Sequence, residues 1–253
     1  MNFFRSEEHI RNWAQFNPDS AVASLPLNDE VTVFSIEAAK HRLSGDFISQ
    51  WAPKQLGERA EAAQRLGKTG PCWGAGQAAS QLGLDRHDLF MTAASPGIIA
   101  TTMLNSHYTS YEAYVFALAD EMRKEYELIV SNGLVLQLDC PDLAMECHGL
   151  YQDETLEVFQ DVVRLHIEAI NHVLQNSPRE QVRLHVCRGN TEGPHIYDVP
   201  LENILPLVYR ANVGALVMEM ANPRLAHEHT IYQRFPLPEH MMLVAGVIDT
   251  KTN

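Results

Sequence analysis

The chain has 253 residues, 45% of them hydrophobic, and 19 Lys and Arg stand against 32 Asp and Glu for a net charge of -13. That length holds one large or two modest domains of ordinary globular composition. The acidic balance argues against a nucleic-acid partner, whose phosphates demand a basic surface, and no run of about 18 apolar residues offers a membrane span. The start, Met1-Asn-Phe-Phe-Arg-Ser-Glu-Glu, lacks the basic and apolar stretches of a signal peptide, so a cytoplasmic location is expected. Cys72, Cys140, Cys147 and Cys187 are too few and too scattered for a disulfide framework and read as thiols. Charge is uneven: residues 1–75 carry 8 basic and 9 acidic side chains, the remainder 11 and 23. Two regions of different character are expected.

Residues 1–67 read as short helices. Ser6 with Glu7 and Glu8 opens the first, which sets Ile10, Trp13 and Phe16 on one face. Asn28 opens a second, with Val31, Val33, Phe34 and Ala38 apolar, and Asp46 to Trp51 and Gln55 to Leu66 supply two more. The Gly- and Pro-rich stretch from Gly67 to Gly76 reads as a linker or sharp break. From about residue 88 strands and helices alternate. The strands are Leu89 to Ala93, Leu134 to Asp139, Val182 to Cys187, Ala215 to Met220 and Met242 to Asp249. Helical spacing joins Tyr111, Tyr114, Val115, Leu118, Met122, Tyr126 and Ile129, and then Leu156, Phe159, Val163, Ile167, Ile170 and Leu174. Leu201 to Ala211 forms a third helix. Such stripes are core against a sheet, and regular βα alternation implies parallel strands with right-handed crossovers.

Strand side chains alternate faces, so parity sorts the polar residues. Gln137 and Asp139 share a face, as do Arg183, His185 and Cys187; Glu219 stands with Ala215 and Val217, and Asp249 with Val247. His185 and Cys187 lie about 7 Å apart along their strand. An imidazole and a thiolate on one rigid strand suit zinc, although a half-buried strand carrying a His and a small apolar Cys has the same sequence. Burying charge costs several kcal/mol unless it is paired or ligated, so ionisable groups closing four successive parallel strands point to a site. His185, Cys187 and Glu219 make a coherent N, S, O set, and a bound zinc would lower the pKa of an incoming thiol. The run Cys140-Pro-Asp-Leu-Ala-Met-Glu-Cys147-His148 fits no standard metal spacing. His227-Glu-His229 reads as a solvated or substrate-contacting loop. Arg224, in Asn222-Pro-Arg224, either receives a carboxylate or phosphate or caps its own loop.

Residues from about 88 to 253 resemble the catalytic barrel of cobalamin-independent methionine synthase and its shorter methyltransferase relatives, the epoxyalkane–coenzyme M transferases among them. The segments that carry the resemblance are Gln137-Leu-Asp-Cys-Pro-Asp-Leu143, His185-Val-Cys-Arg-Gly-Asn190, Val217-Met-Glu219 with Ala221-Asn-Pro-Arg224, and Gly246-Val-Ile-Asp-Thr-Lys-Thr-Asn253. The resemblance implies a (β/α)8 TIM-type barrel and zinc-dependent transfer of a methyl or alkyl group to a small thiol, as in methionine biosynthesis. It assigns zinc ligation to His185, Cys187 and Glu219, and makes Asp139 a contact for the amino group of a homocysteine-like substrate. Gln137 and Arg224 lie in the matching substrate-binding segments, and Asp249 falls at another active-site strand end.

Departures qualify the match. The family's last zinc ligand is a Cys downstream of Gly-Val-Ile-Asp, and the sequence stops at Asn253 before it. Lys251 stands where methionine synthases carry a His. Five strands are expected, resembling the third to the seventh, so the reading is an α/β fold: an incomplete barrel over 76–253, preceded by a small all-α region over 1–75. Its open edges invite cover by the N-terminal helices or by a second copy in a homo-oligomer. Residues 3–16 resemble the tail segment of organomercurial lyases, without that family's catalytic cysteines. A catalytically inactive remnant and a non-catalytic zinc- or ligand-binding fragment stand as alternatives to an active transferase.

Overall fold

The structure is a computed structural model that describes residues 32, 36–41, 50–67, 83, 85–103, 105–189 and 196–249. The helical readings at residues 6–16, 28–31, 33–34 and 46–49, the organomercurial-lyase-like segment, Cys72 and the linker beyond Gly67 lie outside the described residues, as do Asn190, Lys251 and Asn253. The chain divides into two compact units, Met1–Arg86 and His87–Asn253, where the sequence suggests a division at 75/76.

In the first unit, α1 is Glu37–Lys40 and α2 is Ala52–Arg65. Pro53 sits in the first turn of α2, where no helical N–H is needed. Gly67 at φ 68° ends the helix in the left-handed region that glycine tolerates. Ile36, Ala62 and Trp51 pack together, and Trp51 stacks on the His41 ring at 3.9 Å.

The second unit alternates β1 (Phe90–Ala94), α3 (Pro96–Thr102), α4 (Tyr111–Ser131), β2 (Val135–Asp139), α5 (Leu156–Val173), β3 (Val182–Val186), α6 (Leu201–Val208), β4 (Ala215–Glu219), α7 (Ile231–Arg234) and β5 (Met242–Gly246). All five strands pair in parallel in the order β1-β2-β3-β4-β5. Consecutive order with right-handed crossovers sends every helix to the same face. The burial pattern follows. Leu136, Leu138, Val182, Leu184, Val186, Leu216 and Met218 are buried, whereas Gln137, Asp139, Arg183, His185, Val217 and Glu219 on the opposite face are only half-buried. Against the buried face, α4 packs Val115, Leu118, Met122 and Tyr126, α5 packs Phe159, Val163, Ile167 and Ile170, and α6 packs Ile204 and Leu205. β1 and β5 are the two edges, so the sheet is open, as in an incomplete barrel. No described helix is long and apolar enough to cross a membrane.

Local signals set the helix ends. Ser95, Ser110 and Thr155 cap α3, α4 and α5, their hydroxyls accepting from the backbone N–H of Ile98, Ala113 and Val158. The sequence reading passes over α3, a seven-residue helix opened by Ser95-Pro96. β5 is also shorter than expected and stops at Gly246, so Asp249 is not a strand residue.

The two faces should differ in energy. Leu138→Ala, beneath the helices, should cost about 2–5 kcal/mol. Val244→Ala, on the half-buried face, should cost under about 1.5 kcal/mol, nearer the transfer term alone. Urea unfolding of both variants checks this, and equal losses would contradict one-sided cover.

Candidate functional site

The polar residues of the open face gather towards the C-terminal strand ends. The ladder sets Asp139 opposite His185, and their side chains meet, His185 Nδ1 lying 2.9 Å from Asp139 Oδ1. With Nδ1 donating to the carboxylate, Nε2 becomes the ring nitrogen available to a metal, the tautomer that ligating histidines take when a carboxylate stands behind them. Asp139 therefore holds the His185 ring, beside any role towards substrate. Its side chain stays 49% exposed, which leaves its second oxygen within reach of a ligand.

Cys187 lies one residue beyond β3. The last pair of that ladder is Val186 with Met218, so one further step sets Cys187 level with Glu219, the last residue of β4. His185, Cys187 and Glu219 thus share one face near one level. Among the described residues, however, no group of three or more His, Cys, Asp and Glu is drawn together closely enough to hold an ion. The N, S, O donor chemistry fits zinc, and the backbone aligns the donors without their side chains converging. Gln137 stands on the same face two residues below Asp139, opposite Arg183. Arg183 turns away from the strand ends to cover the Phe90 ring at 3.8 Å.

Asp249 reaches the site by another route than strand parity. It follows the end of β5, and its Oδ1 accepts from Asn222 Nδ2 at 3.2 Å. The buried Asn222 turns its own Oδ1 to the backbone N–H and Nε of Arg224, at 3.0 and 3.2 Å. Arg224 thus caps its own loop, and this contact leaves its second reading, as a receiver of a carboxylate or phosphate, open.

Arg188 is a structural residue of this site that the sequence reading passes over. It follows Cys187 directly, is buried, and donates to both oxygens of Glu228 at 2.9 Å and to the Val199 carbonyl. Glu228 Oε1 also accepts from Leu201 N–H at the start of α6. Hence the 227–229 loop is not wholly solvated: His227 and His229 are exposed, but Glu228 points inward. The clamp fixes the backbone just past Cys187. Some 40 residues separate its partners, so no local spacing announces it.

The described cysteines differ in environment. Burial, together with the Asp142 carboxylate, pushes the Cys140 thiol well above its usual range, and burial raises Cys147 more modestly. Cys187 lies on the open face, half-buried. A second polar cluster, Ser95, Asp142 and His166, is fully buried on the helix side of the sheet.

No protein-family model, curated protein or solved structure matches the chain. The site therefore rests on its own geometry.

Two outcomes follow. Glu228→Ala strands a buried guanidinium and should cost about 3–5 kcal/mol in urea unfolding; a loss below about 1 kcal/mol would contradict a buried clamp. Native-state alkylation with iodoacetamide at pH 8 should modify Cys187 well before Cys140, and equal rates would contradict their placement on opposite faces.

Proposed function

We propose that the second unit is a zinc-dependent transferase domain that moves a methyl or alkyl group to a small thiol, in the manner of cobalamin-independent methionine synthase. One arrangement carries this reading: His185, Cys187 and Glu219 on the open face at the C-terminal strand ends, with the His185 ring oriented by Asp139. Parallel α/β folds build their chemistry at that end of the sheet.

In this reading His185 Nε2, Cys187 Sγ and the Glu219 carboxylate hold the zinc. When bound, the ion supplies Lewis acidity that keeps a substrate thiol deprotonated near neutral pH. The remaining work belongs to the chain. Asp139 fixes the imidazole through Nδ1 and offers its second oxygen to the ammonium group of a homocysteine-like acceptor. Gln137 borders the acceptor on the same face. Arg224, held against Asn222, presents its guanidinium to a carboxylate or, for a coenzyme-M-like acceptor, a sulfonate. Asp249, bonded to the same Asn222, is the carboxylate for proton transfer on that side. Substrates are thus a small thiol and an alkyl donor, with no nucleic acid and no membrane. A second copy of the chain covers the open edges.

A second reading is a non-catalytic remnant of the same lineage. It is favoured by the three donors standing aligned but not gathered.

Elemental analysis of freshly purified protein separates these readings. The proposal expects one zinc per chain, and the His185→Ala variant should lose it. A folded wild-type chain without zinc, or unchanged zinc in His185→Ala, would overturn the metal assignment. The zinc-free outcome would select the remnant, and zinc bound tightly with no turnover of any thiol would select a non-catalytic zinc-binding fragment.

A further inference from the structure

The sheet's helix-covered side holds a polar cluster that the transfer reading does not use. Ser95 Oγ donates to Asp142 Oδ1 at 2.6 Å, His166 Nδ1 lies 2.8 Å from Asp142 Oδ2, and the Tyr111 hydroxyl lies 2.9 Å from His166 Nε2. Ser95, Asp142 and His166 are all 0% exposed. Apolar side chains of the same volume would stabilise this space as well or better, because a buried polar group contributes little net energy and costs much when a partner is lost. What a satisfied buried network supplies instead is one fixed geometry.

That geometry bears on Asp139. The 139–142 segment crosses the end of the sheet, with Asp139 on the open face and Asp142 buried on the covered side. Ser95, the residue after β1, grips the segment at both ends. Its backbone N–H donates to the Asp139 carbonyl at 3.1 Å, and its hydroxyl donates to Asp142. From the other side, Cys140 N–H donates to the His185 carbonyl at 2.9 Å. The peptide between Asp139 and Cys140 is therefore bonded to both neighbouring strand ends, one of which carries His185.

The grip is itself anchored. The buried Tyr126 hydroxyl donates to the Ala94 carbonyl at 2.5 Å, and Ser95 Oγ accepts from Ile98 N–H as the cap of α3. His166 from α5 and Tyr111 from the first turn of α4 close the cluster behind Asp142. Gly97 lets α3 come up against the pair, since a Cβ there would fall 2.1 Å from Asp142 Oδ2 and 2.4 Å from His166 Nδ1. Whichever of Asp142 and His166 carries the proton between them, the link is the same. On the open face, Asp139 meets His185 Nδ1 at 2.9 Å with a side chain 49% exposed, so its backbone sets its direction. A contact that orients a ligating ring has to be held within roughly 0.5 Å.

We propose that Ser95, Asp142 and His166 are positioning residues: by pinning the 139–142 segment from the covered side of the sheet, they hold Asp139 where its carboxylate fixes the His185 ring. The purpose of this device rests on the zinc reading, but the contact it controls needs no metal. The 15N spectrum of the His185 ring in metal-free, full-length protein at pH 8 tests it, because it reads the tautomer. Wild type should show the Nδ1–H form. Ser95→Ala, which keeps the backbone bond to Asp139 and deletes a single oxygen, is expected to fold and to show a mixture with the Nε2–H form. His166→Leu should do the same, and His166→Asn, whose amide still reaches Asp142, should restore the wild-type spectrum. A wild type without the Nδ1–H form would overturn the proposal, as would the wild-type spectrum in Ser95→Ala, or His166→Asn behaving like His166→Leu.

Zinc affinity, measured by competition with a chelator, gives a second reading. Asp139→Ala should weaken zinc about 10–100-fold. Ser95→Ala should weaken it about 3–10-fold, the worth of one neutral hydrogen bond. Added to Asp139→Ala, it should cost nothing further, because both act through one contact; additive losses would overturn the positioning role. A wild type that binds no zinc counts against the transferase reading alone, since the tautomer judges the positioning by itself.

Discussion

The rule that a right-handed crossover returns a parallel strand beside its predecessor governs the second unit. Applied four times without a reversal of strand order, it sends every helix to one face. The leucines and valines of β2, β3 and β4 on that face are buried, and their neighbours in sequence lie on the face opposite the described helices of this unit. A reversal of strand order would have covered both faces. The polar residues of alternate parity would then have faced a second helix layer, where ionisable groups are too costly unless paired. The one-sided winding is what permits Asp139, Arg183, His185 and Glu219 to occupy the middle of a sheet.

That constraint also explains which features were legible in the sequence. The alternation of Leu136 and Leu138 with Gln137 and Asp139 marks a strand with one buried face, and β1 to β4 fall within one residue of their expected limits. Strand ends are less legible because they depend on the neighbour. β5 pairs only with β4, which stops at Glu219 opposite Gly246, so the ladder runs out three residues before Asp249. Parity therefore fails for Asp249 even though its position along the chain brings it to Asn222.

The polar residues missed in the sequence fall into two kinds. His166 was detectable in principle: it continues the series Phe159, Val163 and Ile170 at spacings of four and three, so a helix through them buries it. Its partners Asp142 and Ser95 come from two different strand ends, and only the fold joins them. Arg188 and Glu228 gave no signal at all, because charged residues in loops are ordinarily solvated. Their buried ion pair fixes the backbone beside Cys187.

The two faces divide the labour of the domain. The covered side supplies stability, with the Asp142–His166 pair buried within it. The open side sets out an imidazole, a thiol and a carboxylate on adjacent strands. The central claim is that these three act as one metal site. Zinc K-edge X-ray absorption on zinc-loaded protein tests it most directly. The account predicts one sulfur at about 2.3 Å with the remaining ligands nitrogen or oxygen at about 2.0–2.2 Å. A shell with no sulfur, or one unaltered by Cys187→Ser, would contradict it.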